Sequence, residues 1–310
     1  MKSCLRNVVT ALAVASIVMP GVAHSAEARP EPAPVPIVGD DVEDITITGQ
    51  RPAALRKLML DFIVEIGDPV SRNRGYARWR DDVCVGVHNL ADRAAAQFVA
   101  DRISLVALEL GLEPGEPGCR ANLNIIFTPD GSDTADRLLK SAPRAFRPFA
   151  GAGGTTQGVA ELERFRTSEQ PVRWWQITMI VDELGQPAMD LGFGMPQIRG
   201  SNSRIKNSVS DALWGSIVIV DTSKLANVNW LQLTDYLAMV SLAQVKPDGA
   251  PAGYDSILNL FGAGQPPAGL TTMDRTYLHA LYEMDTMIMP RMQRSGFASR
   301  MVRELGDSAE

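Results

Sequence analysis

Apolar positions recur along this chain with two different periods, and the switches between them lay out its elements. Leu55, Leu58, Met59, Phe62, Ile63 and Ile66 return at intervals of three and four, with Pro52 in the first turn and Gly67 at the stop, which predicts a helix. The run 83–87 predicts a short strand. Helical spacing resumes over 91–110, where Ala95, Val99, Ile103, Val106 and Leu110 share a face and Gly111 ends it. A second strand follows at 122–128, so this region is a strand–helix–strand unit. Beyond a helical stretch over 134–141 and a glycine-rich loop at 151–158, two strongly β-prone runs stand at 172–182 and 212–221. The segment between them, with Gly192, Gly194 and Gly200, reads as loops or an irregular hairpin. The helical period returns over 229–245 on Leu233, Tyr236, Leu237, Val240 and Ala243, and further helices are predicted at 254–261, 273–287 and 295–305. The pattern predicts an α+β fold: a mixed sheet with packed helices in a single domain. Trp174 and Trp175 are adjacent in a strand and so point to opposite faces, one into the core and the other toward a groove or a covering helix.

Ahead of the first helix the pattern is different. Lys2 and Arg6 precede an uncharged apolar run at 8–19, and Ala23 and Ser25 offer small residues for cleavage, so residues 1–25 read as a signal peptide and the protein as periplasmic or secreted. Residues 26–51 carry Pro30, Pro32, Pro34 and Pro36, then the acidic Asp40, Asp41, Glu43 and Asp44, and read as a disordered, extended linker. The globular domain is then 52–310. The formal charge of −6 becomes more negative once Lys2 and Arg6 leave, which argues against nucleic acid and anionic membrane as partners. After residue 25 no run of about eighteen apolar residues occurs, so no integral membrane segment is expected.

Cysteine and histidine then narrow the chemistry. Cys4 falls in the signal, and Cys84 and Cys119 remain; in an exported chain they are most simply a disulfide. Closing a loop of about 35 residues would stabilise by about 3–4 kcal/mol. Outside the signal the histidines are His88 and His279, and no H-E-x-x-H is present, so no metal site and no cofactor are expected. There is no G-x-S-x-G, and the 151–158 loop lacks a P-loop lysine. Glu161 with Glu163, or Asp182 with Glu183, could do acid–base work, although such pairs are common on solvated loops.

Several stretches carry a resemblance. Tyr76-Ala-Arg-Trp79, Val83-Cys-Val-Gly-Val87, Pro117-Gly-Cys-Arg-Ala-Asn-Leu-Asn124, Pro171-Val-Arg-Trp-Trp175, Leu233-Thr-Asp-Tyr-Leu-Ala-Met239 and the segment 270–282 resemble a group of exported alphaproteobacterial proteins of unknown function. The order of elements is similar to that of zincin metalloproteases of the metzincin type. That resemblance implies an edge strand at 212–221 that aligns a peptide, and an active-site helix at 229–245. Because 234–238 holds neither the histidines nor the glutamate, it implies a scaffold without zinc chemistry. Residues 44–51 resemble the short segment near the mature start of outer-membrane receptors that couple to an energy-transducing partner. From these readings the expected function is a non-catalytic binding or scaffold module of the cell envelope. It would hold a peptide or envelope protein in a groove beside 212–221, with Trp174, Trp175, Asp235 and Tyr236 as candidate groove residues. The competing expectation is a metal-independent hydrolase using paired carboxylates.

Overall fold

The structure, a computed structural model, describes residues 51–69, 75–147, 158–187, 206–247 and 251–307, with Gly249 and short strand pieces at 153–154, 189–190 and 196–197. Residues 1–50, which hold the signal peptide, the linker and the 44–51 segment except Arg51, and most of the 151–158 loop lie outside these residues.

The strand–helix–strand unit forms as the pattern predicts. Strand β2 (Val85–His88) leads through helix α2 (Arg93–Glu109) to β3 (Leu123–Thr128), and the two strands are parallel neighbours. Asp92 caps α2, accepting from the backbone N–H of Ala94 at 2.8 Å. Two short segments precede this unit: α1 (Arg51–Ile66) and β1 (Arg78–Trp79). After it come α3 (Gly131–Ser141), β4 (Gly153–Gly154), α4 (Val159–Thr167), β5 (Val172–Val181) and β8 (Ser210–Asp221), with a separate small hairpin of β6 (Met189–Asp190) and β7 (Pro196–Gln197) between the last two. The remaining helices are α5 (Trp230–Leu242), α6 (Thr272–Glu283) and α7 (Pro290–Asp307).

The sheet runs β2-β3-β8-β5-β4, with β1 added beside the start of β8. β1 and β3 both lie parallel to β8 on one edge, β1 at Ala212–Leu213 and β3 from Ser216 to Asp221, while β5 is antiparallel on the other. This corrects the expectation for 212–221. It is the central strand, not an edge, and the Ile217–Val220 run is apolar on consecutive positions because both faces of the sheet are covered there.

The two faces hold separate cores. On the first, Leu123, Ile125, Phe127, Trp174, Leu213, Val218 and Val220 join side chains from α1, α2, α5, α6 and α7. Within it, every residue of α5 from Gln232 to Leu242 is buried, as expected of a helix enclosed on all sides. Its buried C-terminal carbonyls need partners, and side chains supply them. Gln176 donates to Val240 O and Ala243 O at 3.0 and 2.9 Å, Trp79 Nε1 to Ser241 O at 2.8 Å, and Tyr282 Oη to Leu242 O at 2.7 Å. The second core is small: Trp175 and Ile219 pack with Ala135, Phe146 and Phe165 beneath α3 and α4. Arg173 ties those helices down, donating to Ser132 Oγ at 3.2 Å and to Arg166 O at 3.0 Å.

The disulfide is formed. Cys84 and Cys119 precede β2 and β3, and their Cα atoms stand 6.1 Å apart. Gly115 must be glycine for this approach, because a Cβ there would lie 2.5 Å from the Cys119 sulfur. Two predicted helices differ. The 254–261 stretch is reduced to a 3₁₀ turn, Ile257–Asn259, because Asp274 Oδ2 takes the Ile257 N–H at 2.7 Å and Ser256 caps the turn. The 273–287 helix ends at Glu283, where Met284 turns extended, and α7 begins at Pro290, several residues earlier than the pattern indicated.

Candidate functional site

The candidate site grows from an irregularity in β8. Opposite β5, Ile177 pairs with Gly215 but Thr178 pairs with Leu213, so Trp214 is an extra, bulged residue. The bulge resets the alternation, letting Leu213 join the first core although Gly215 faces the second side. It also expels Trp214, which is 49% exposed in a strand whose other positions are buried or half-buried. Gly215 follows the bulged residue and packs beside Ile177 and Asn122: a Cβ there would sit in ordinary contact, 3.4 Å from the Ile177 Cδ1 and 3.6 Å from Asn122 O.

Trp214 stands beside a groove of about 520 Å³. Ile177, Ile217, Ala145 and Gly215 supply apolar lining, and Asp81, Arg120, Asn122 and Asn124 supply polar groups. The groove exists because the helices over the second face cover only part of it: α3 and α4 reach Trp175 and Ile219, leaving Ile177 and Ile217 half-buried. Asn122 is committed to the fold, accepting from Cys84 N at 2.8 Å and donating to Asp82 O at 2.7 Å. Asn124 Oδ1 meets His88 Nε2 at 3.0 Å.

The four residues expected in a groove are placed elsewhere. Trp174 is 3% exposed and joins Tyr236 at 6.4 Å between ring centroids in the first core, with Nε1 donating to Val245 O at 3.3 Å. Trp175 is fully buried on the opposite face, as adjacent strand positions require, with Nε1 donating to Ala145 O at 2.9 Å. Tyr236 stacks edge-on against Phe261 at 5.0 Å, and burial pushes its phenol far above the usual range. Asp235 is 2% exposed and takes a two-pronged contact from Arg102, Nε to Oδ1 at 2.6 Å, while Oδ2 accepts from Leu270 N at 2.8 Å. It anchors α2 and the 269–270 turn to α5. Trp174 and Tyr236 are therefore brought together, but inside the molecule, while Asp235 meets Arg102 and Leu270 instead.

The carboxylate pairs are separated by structural duties. Glu161 accepts from Gly158 N at 3.0 Å at the start of α4, and Glu163 is held by Arg166 at 2.7 Å. Asp182 closes a turn by accepting from the N–H groups of Leu184 and Gln186. Glu161 nevertheless lines a second cleft, of about 390 Å³, together with Glu65, Asp68, Arg164 and Lys246. Burial first, and the neighbouring Glu161 second, push the Asp68 carboxyl up to about 6. Sequence reasoning missed both Asp68 and Trp214. For Trp214 a signal was present, since a glycine inside a β-prone run marks a bulge. Among the described residues no three His, Cys, Asp or Glu side chains come together as a metal cluster, and no helix is long and apolar enough to cross a membrane.

Comparison with known proteins returned no matching family model, no matching curated protein and no matching solved structure. The functional reading therefore rests on the geometry.

Proposed function

We propose that this chain is an exported, non-catalytic binding module of the cell envelope, which holds its ligand in the groove beside the middle of β8. The observation that carries this reading is Trp214: a half-exposed indole on a central strand, above a groove lined by apolar and polar groups with one charge of each sign, Asp81 and Arg120. Among the described residues the groove's only lining carboxylate is Asp81, without the second acid that a carboxylate mechanism needs. Export is supported by the Cys84–Cys119 bridge, which an oxidising compartment favours. A photo-reactive amino acid placed at position 214 in cells should give an adduct, and one at the exposed Leu108 on α2 should not. Equal labelling from both positions, or none from 214, would defeat the reading.

The Asp68 cleft supports a second reading, a metal-independent hydrolase. A carboxyl held near 6 beside another carboxylate suits a general acid. Nitrophenyl glycosides and esters are the direct probe. Turnover lost in Asp68→Asn would establish it, and absence of turnover across pH 4–8 would remove it.

A further inference from the structure

The five tryptophans of this chain do not have equal surroundings. Trp79, Trp174 and Trp175 are buried, and each gives its indole N–H to a backbone carbonyl. Trp230 is partly exposed but packs its ring on Phe127, at 6.2 Å between centroids. The Trp214 indole alone makes neither a hydrogen bond nor a ring contact among the described residues. Leaving an indole in water forgoes the burial energy of one of the largest apolar side chains, about 2–3 kcal/mol. An exposed aromatic fixed by a bulge on a central strand is a preorganised platform for a flat apolar surface.

The groups around that platform specify what the surface belongs to. Among the described residues the exposed Asp81 and Arg120 make no salt bridge and the Asn124 amide nitrogen meets no hydrogen-bond partner. Carboxylate, guanidinium and amide are planar groups that make paired hydrogen bonds to adjacent hydroxyls. One charge of each sign leaves the rim near neutral, which disfavours a strongly charged ligand, and five polar side chains disfavour a purely apolar one. A peptide adding as a strand is disfavoured because both edges of β8 are already paired, by β1 and β3 on one side and β5 on the other. An apolar C–H face with a ring of hydroxyls is the surface of a pyranose.

We propose that the groove is a glycan subsite: one sugar ring stacks on Trp214 while Asn124, Asp81 and Arg120 bind its hydroxyls. This rests on the binding reading above and names its ligand class. The test titrates the full chain, disulfide intact, with chitotriose, cellotriose and maltotriose, following tryptophan fluorescence. A proline-rich hexapeptide serves as the peptide probe. At least one sugar should give a saturable change. Trp214→Ala should weaken it about tenfold or more, Trp214→Phe should restore most of the affinity, and Trp230→Ala should leave it unchanged. Unaltered melting of Trp214→Ala separates lost stacking from lost folding. A sugar response that survives Trp214→Ala overturns the proposal, as does no response to any of the three. A response to the peptide alone also overturns it but leaves the binding reading standing. Silence toward every probe, with no photo-adduct from position 214, overturns both.

Discussion

The two faces of the sheet are built from the same strands and finished differently. Over the first face the helices bury the strand residues they cover: Trp174 is 3% exposed, and even the charged Asp235 is enclosed with a partner. Over the second, α3 and α4 cover one end, and the middle of β8 is left with a bulge, a glycine and an exposed indole. The first face holds the fold together, and that frees the second to leave apolar surface unburied. Neighbouring strands thus carry one tryptophan sealed in a core and another left half in solvent.

The comparison predicts a ladder of effects. Trp174→Ala should cost the most, about 4 kcal/mol by chemical denaturation, through a cavity in the larger core and a lost N–H donor. A loss below about 1 kcal/mol would mean the first face is not the stabilising one. Asp235→Ala should cost about 3 kcal/mol, because Arg102 and the Leu270 N–H lose their acceptor together; Arg102→Met in the same background should recover part of it. Trp214→Ala should change stability by about 0.5 kcal/mol or less, the smallest effect of the series, and a large loss would place Trp214 in a core after all.

Between these ends stands a pH effect. The Asp68 carboxyl, raised to about 6, binds its proton more tightly in the folded chain than in the unfolded one. Its contribution is fully present below about pH 4 and is lost as the pH rises through about 6, where an ionised Asp68 must face Glu161 with only Lys246 and Arg164 to offset it. Asp68→Asn should therefore remove a stability decline of about 2 kcal/mol between pH 4 and 7, which urea titrations at each pH would measure.

Much of the fold was legible because its signals are local. The three-and-four spacing in α1, α2 and α5, the β-prone runs of β5 and β8, and the pairing of Cys84 with Cys119 once Cys4 is read as part of a signal each need only local residues to be read. The order of the strands was not legible, since β1, β3 and β5 converge on β8 from distant parts of the chain. The groove was misplaced for a related reason. Period two says that Trp174 and Trp175 face opposite ways, but not that each face has a covering layer. Asp235 inside an otherwise apolar helix was a sign of an internal partner, yet that partner, Arg102, lies 133 positions away. Trp214 escaped notice because a bulge is a property of two strands, and only Gly215 betrays it in one.

The disulfide has a further consequence. Cys119 is followed directly by Arg120, Ala121 and Asn122, three residues of the groove wall, and Asn122 is bonded in turn to the Cys84 backbone. The bridge is therefore a hinge pin of the site as well as a staple of the fold. Occupancy and oxidation are then coupled quantities. Whatever sits in the groove and prefers the pinned wall protects the bridge from thiols, by the same factor with which the bridge tightens its grip on that occupant.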